Sequence, residues 1–163
     1  MRWWVIAAAL WCVAGCSAPR ADVPPVIRYG DTPCARCRMA ISEPRFAAAR
    51  VDAAGQTVVY DDIGCLVLDA ATASQDGLRW WVHDYETEAW VSADAAVFVR
   101  VPGLMTPMGS GLIAVADAEA ADRVARALGG ARVPHGELSS VVAALPARTG
   151  PSDAASAIHG ASP

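Results

Sequence analysis

Residues 46–65 read FAAARVDAAGQTVVYDDIGC. Phe46 to Asp52 has the make-up of a strand, Ala53-Ala54-Gly55 that of a turn, and Gln56 to Asp61, with its β-branched residues, that of a second strand. Asp61 or Asp62 then caps a helix from Ile63 to about Ala73, because a short carboxylate satisfies the free N–H groups at a helix start. Leu78 to His83 predicts a third strand, so 46–83 forms a strand-strand-helix-strand unit.

Downstream, Asp84 to Glu88 reads as a turn, and Trp90-Val91 and Val97 to Val101 as short strands. Pro102 to Gly111 is a loop rich in Pro, Gly and Met, followed by a strand from Leu112 to Ala116. Asp117 caps a helix that ends at Gly129-Gly130, and Gly136 to Leu145 predicts a shorter one. A looser copy of the first unit fits 89–128, although no repeat is visible in the residues themselves. Hairpins followed by helices predict an α+β fold: small antiparallel or mixed sheets with helices, with two related ββα-type units as one arrangement.

The chain has 163 residues, enough for one domain, and its 54% hydrophobic content fills a sizeable core. All 13 basic residues are Arg, they are scattered, and the net charge is −4. Nucleic-acid binding is excluded on this ground, since phosphate neutralisation needs clustered cations.

Met1-Arg2 is a short positive segment, and Trp3 to Ala14 an apolar run too short to span a bilayer as a mature helix. The run ends in Val13-Ala14-Gly15-Cys16, which resembles the lipobox of bacterial lipoproteins. The expected organisation is a signal peptide at 1–15, a lipidated Cys16 with a tether at 16–25, a metal-binding domain at 26–145, and a tail at 146–163 whose Ala, Ser, Gly and Pro show no pattern. Acyl chains at Cys16 would anchor the protein on the periplasmic side, outer membrane included, at about 0.8 kcal/mol per buried CH₂. An ordinary secretory signal with an incidental Cys is the alternative.

Of the five cysteines, Cys12 leaves with the signal and Cys16 carries lipid. Cys34, Cys37 and Cys65 remain as an odd set in a disulfide-favouring compartment, so at least one is buried, metal-bound or otherwise used. Cys34-Ala35-Arg36-Cys37-Arg38-Met39 places two thiols and a thioether within six residues. Haem attachment is out, because Arg38 stands where His is required. A thioredoxin-like dithiol is disfavoured, because Pro44 cuts short any helix opened by the pair. Structural zinc would need Cys65 and His83 to complete four ligands, and two further readings stay open: soft-metal binding, favoured by thiolate and thioether sulfur, and a Cys34–Cys37 disulfide with Met39 as core filler.

Met105 and Met108 sit in Met-Thr-Pro-Met-Gly-Ser-Gly (105–111), as ligands or as a loop closing over the core. Cys65 lies in the first turn of the predicted helix, where free N–H groups stabilise a thiolate; a small buried core Cys is the alternative. Asp61 and Asp62 stand beside it as candidate supports for a metal site or as helix caps. His83, His135 and His159 receive no ligand role. Gly109-Ser110-Gly111 lacks an accompanying His and acid, so nothing points to catalysis. Trp80, Trp81 and Trp90 read as core or as a docking patch.

The series Cys37-Arg38-Met39-Ala40-Ile41, Tyr60-Asp61-Asp62-Ile63-Gly64-Cys65 and Pro107-Met108-Gly109-Ser110-Gly111-Leu112-Ile113-Ala114 resembles the NosL family of copper-chaperone lipoproteins associated with nitrous oxide reductase assembly. The resemblance spans about 26–145. It implies paired ββα-type units and one Cu(I) held by Cys37, Met39 and Met108, with Cys65 or Asp61 nearby; Cys34, a further candidate ligand, is an addition to the family pattern. The family pattern has Cys-Gly-Met; Arg38 replaces the Gly and puts close backbone approach there in question. The implied partners are copper-enzyme assembly proteins or the apo-enzyme, and the membrane through the lipid. The competing expectations are a thiol-disulfide protein and a Zn(II)-containing docking module.

Overall fold

A computed structural model describes residues 23–72 and 78–145. The signal at 1–15, Cys16, most of the tether, the helix end at Ala73, His159 and the tail from 146 lie outside the described residues.

The elements follow in order: β1 (Ala48–Val51), β2 (Thr57–Tyr60), α1 (Ile63–Ala70), β3 (Arg79–His83), β4 (Trp90–Ser92), β5 (Val97–Arg100), β6 (Leu112–Val115), α2 (Ala118–Leu128), β7 (Ala131–Val133) and α3 (Leu138–Ala143). Single 3₁₀ turns at Pro44–Phe46 and His135–Glu137 precede β1 and α3. The fold is α+β, with one sheet ordered β2-β1-β3-β4 and a second ordered β6-β5-β7. All the named strand pairs are antiparallel.

Two differences from the sequence reading matter. β1 starts at Ala48, because Pro44 fixes a 3₁₀ turn that takes up Phe46. Ala131–Val133, read as a connection, is β7; it pairs Phe98 with Val133 and Arg100 with Ala131. Its two exposed residues and single buried one give no alternation to detect. With β7 in place, residues 97–133 form strand-strand-helix-strand, the same connectivity as 48–83, whereas β4 completes the first sheet.

The second sheet is sandwiched. Phe98, Leu112, Ala114 and Val133 enter the main core with Ile41, Tyr60, Leu66 and Val82, while Val99, Val101, Ile113 and Val115 pack with Ala121 and Val124 of α2. Successive residues of a strand face opposite sides, so β6 is buried at all four positions. Asp84 ties the sheets together: Ala116 N donates to its Oδ2 at 2.7 Å, and Tyr85 N donates to Ala114 O at 2.8 Å. Trp80, Trp81 and Trp90 are half-buried, and Trp80 and Trp90 pack against the main core.

Candidate metal centre

The Cys-containing segment is a tight loop laid along β2. Cys34 N donates to Met39 O at 2.8 Å and Arg38 N to Cys34 O at 3.1 Å, while Ala35 N donates to Val59 O at 3.0 Å. The turn closes through Arg38 at φ 68°, in the left-handed region. This explains the Gly of the family pattern: a residue without Cβ adopts this φ freely, and Arg38 holds it at a steric cost.

The loop delivers Cys34 and Cys37 to the start of α1, where Asp61 and Cys65 await them. The ligand atoms of Cys34, Cys37, Asp61 and Cys65 lie within 4.8 Å of one another. Cys34, Asp61 and Cys65 are buried and Cys37 is half-buried. All three cysteines are free thiols. The Cys37 thiol donates to both Asp61 oxygens at 3.3 Å.

The thiols share protons unequally. A hydrogen bond from the Cys65 thiol, with others from Asp61 and the backbone, outweighs burial and brings Cys34 down to about 4. Burial pushes Cys37 up to about 12, helped by its hydrogen bonds to Cys34 and Asp61. Cys65 is also raised, first because its proton is held against Cys34 and then by burial. Burial, together with Cys34, pushes Asp61 up to about 6. Of the two readings of Cys65, a helix-start thiolate or a small buried thiol, burial and the neighbouring Cys34 favour the second. A soft cation entering the cluster would replace these shared protons as the common partner of the sulfurs.

The methionines are placed differently. Met39 is 43% exposed and Met105 is 84% exposed. Met108 is half-buried and packs against the core that contains Cys34 and Cys65. Its backbone N donates to Asp62 Oδ2 at 2.9 Å, so it is fixed to the residue beside Asp61. Asp62 is the N-cap of α1, accepting from Gly64 N at 2.6 Å. Asp61, read from the sequence as a support, is among the clustered donors themselves.

His83 is buried away from this cluster. Its Nδ1 meets Glu88 O at 2.7 Å and its Nε2 the Tyr29 hydroxyl at 2.8 Å, so Nδ1 carries the proton and Tyr29 donates. His135 is exposed and stacks near Trp80 and Phe98. The hydrogen bonds that Thr106 and Ser110 make to Asp62 escaped the sequence reading, because a hydroxyl 44 or 48 residues away carries no periodic signal.

Among protein families, the one described as NosL matches residues 26–143, most of the chain and all of the elements above. No curated protein matches the chain.

Proposed function

This chain belongs to the NosL family, and from that premise we propose that it is a copper-delivery protein. It binds one Cu(I) through the sulfur of Cys34, Cys37 and Cys65, with Met108 as a thioether ligand and Met39 as the thioether on the way out. It then passes the ion to the assembly machinery of a copper enzyme, for which the family points to nitrous oxide reductase. The observation that carries this reading is the convergence of three thiols and one carboxylate within 4.8 Å at a helix start. Cu(I) is a soft d¹⁰ ion that accepts two to four sulfur donors without strict geometry, so ligands can be exchanged one at a time. The half-buried Cys37 and the exposed Met39, two residues apart, give that exchange a way out to the surface.

The protein binds and delivers; it does not catalyse. Ser110 has the serine of a Gly-Ser-Gly turn, but its hydroxyl is taken up in donating to Asp62 at 2.6 Å. Anchoring through lipid on Cys16 at the periplasmic face is supported by the apolar run that ends in Val13-Ala14-Gly15-Cys16.

A second reading rests on the same cluster. Three sulfurs and one oxygen are also a complete tetrahedral set for Zn(II), which would make the site structural and the protein a docking module. An anaerobic Cu(I) titration of the full chain against a chromophoric chelator, run beside a Zn(II) titration, separates the two. One tightly held equivalent of Cu(I), lost in Cys34→Ser, Cys37→Ser and Cys65→Ser, supports delivery. Tight Zn(II) with Cu(I) left on the chelator selects the docking module. Dithiol redox activity with neither metal held selects a thiol-disulfide protein.

A further inference from the structure

The two adjacent aspartates do different work. Asp61 faces the thiols, and Asp62 is fully buried on the other side of the chain. An N-cap needs a single hydrogen bond, here from Gly64 N to Oδ1 at 2.6 Å. Asp62 accepts three more. Ser110 Oγ donates to Oδ1 at 2.6 Å, Thr106 Oγ1 to Oδ2 at 2.5 Å and Met108 N to Oδ2 at 2.9 Å. All three come from the loop joining β5 to β6.

The loop is shaped for this carboxylate. Gly111 N donates to Thr106 Oγ1 at 3.2 Å and Leu112 N to Ser110 Oγ at 3.1 Å, so each hydroxyl that reaches Asp62 is itself aimed by the backbone. The helix makes room: a Cβ on Gly64 would lie 2.7 Å from the Ser110 Cβ. Four donors on one buried carboxylate form a rigid joint, because water cannot replace any of them.

We propose that Asp62 is a positioning residue for the metal site, latching the 105–111 loop to the start of α1 so that Met108 is held as a thioether ligand beside the thiol cluster. This rests on the copper reading above. Asp61 and Asp62 share one peptide unit, so the carboxylate in the cluster and the anchor of Met108 move as one body. The thiols then come from the first half of the molecule, and the thioether is brought by the second half through Asp62. Residues outside the ligand sphere that orient ligands typically contribute tenfold to 100-fold in affinity.

The test uses Asp62→Ser in the full chain. Serine is as good an N-cap as aspartate, so the helix keeps its start, but one hydroxyl cannot accept four donors. In metal-free protein, hydrogen exchange across the segment containing Met108 is expected to accelerate at least about tenfold, with 34–39 unchanged. Cu(I) affinity is expected to fall by about tenfold to 100-fold. In selenomethionine-labelled protein, copper–selenium scattering should drop as it does in Met108→Leu. The double variant Asp62→Ser/Met108→Leu should bind no more weakly than Met108→Leu alone, because the first change acts through the second.

Multiplying affinity losses in the double variant, or unchanged copper–selenium scattering in Asp62→Ser, would overturn the inference even if the fold were loosened. Should Asp62→Ser fail to fold, Thr106→Val/Ser110→Ala removes the same latch from the loop side and leaves the cap intact, with the same outcomes deciding. A wild type that holds no Cu(I) brings down the copper reading and the ligand-positioning role with it. A wild type that binds tightly, with Asp62→Ser at equal affinity, overturns this inference alone.

Discussion

The two halves of the molecule have the same connectivity and unequal equipment. In each, a hairpin, a helix and a returning strand give the same spatial order: β2-β1-β3 around α1, and β6-β5-β7 around α2. Both helices start from an aspartate in extended conformation, with φ −149° at Asp62 and at Asp117. There the likeness stops. The Asp117 carboxylate accepts from Ala120 N at 2.8 Å, its carbonyl accepts from Ala121 N at 3.0 Å, and its charge acts on Arg123 within the same helix. α2 is amphipathic, with Glu119, Asp122, Arg123 and Arg126 turned to solvent or half-exposed, and it ends on Gly129 at φ 69°. Six of the eight residues of α1 are buried, one of them Cys65, and its cap reaches across to the other half. The hairpins differ in the same way: residues 52–56 make a short turn, and 101–111 a loop long enough to cover the start of α1. One topology thus carries an equipped unit that holds the thiols and the carboxylate and a plainer unit whose loop brings Met108 to the start of α1. The candidate metal cluster lies in the first unit, beside the loop that the second lays over the start of α1.

The sharpest test of this asymmetry is a pair of matched truncations. Asp117→Ala removes one cap and should cost about 1 kcal/mol. Asp62→Ala strands four buried donors and should cost about 3 kcal/mol or more in urea denaturation. Equal losses would break the comparison. Gly64→Ala comes next: its Cβ would meet Ser110 Cβ at 2.7 Å, so about 1–3 kcal/mol is expected, together with weakened metal binding. Gly130→Ala, whose Cβ would meet Arg100 O at 2.8 Å, should cost a similar amount in the plain half and leave metal binding intact.

A pH scan sharpens the comparison further. Burial holds the His83 imidazole below its ordinary value of 6.5, against the pull of Glu88. The unfolded chain therefore binds a proton that the folded one resists, so the His83 contribution to stability declines as pH falls below about 6.5, while Asp61, raised to about 6, works in the opposite sense. Denaturation midpoints at several pH values between 7.5 and 5 measure the net slope, and relative to the wild type His83→Gln should lose less stability on going to low pH. An unchanged slope in that variant would locate the pH sensitivity in another group. The smallest effects concern left-handed residues. Arg38→Gly should gain up to about 1 kcal/mol by relieving φ 68°. Gly129→Ala, with open space around the new Cβ, should lose about the same amount through backbone strain alone. If Arg38→Gly destabilises instead, the arginine side chain does work that the turn geometry does not reveal.

Much of the first half was legible because its signals are local. Two β-branched or alanine-rich strands around Ala53-Ala54-Gly55, and an aspartate before Ile63, require nothing beyond neighbours in the chain. The same holds for the start of α2 at Asp117 and its end at Gly129. β7 was missed, since three residues with one buried side chain have no pattern and owe their strand to pairing with β5. The site was half legible. The CxxC pair, Cys65 and the nearby aspartates stand out by type and spacing, but their protonation does not. Local rules left Cys65 open between a helix-start thiolate and a buried thiol, because a helix start is only one of the fields on that sulfur. The hydrogen bond to Cys34 is made across 31 positions, a separation no local rule covers.

By itself, then, the sequence determined the donor types and the local frames that present them: three cysteines left for use, a loop around Cys34 and Cys37, and a capped helix carrying Cys65. The tertiary structure decided which donors meet, which of two adjacent aspartates faces the sulfurs, and in which direction each thiol's proton affinity moves. The reason is physical. Secondary structure follows from forces that act within a few residues. Ligand geometry and proton affinity depend on distances of a few ångströms between groups far apart in the chain, and only packing sets those distances.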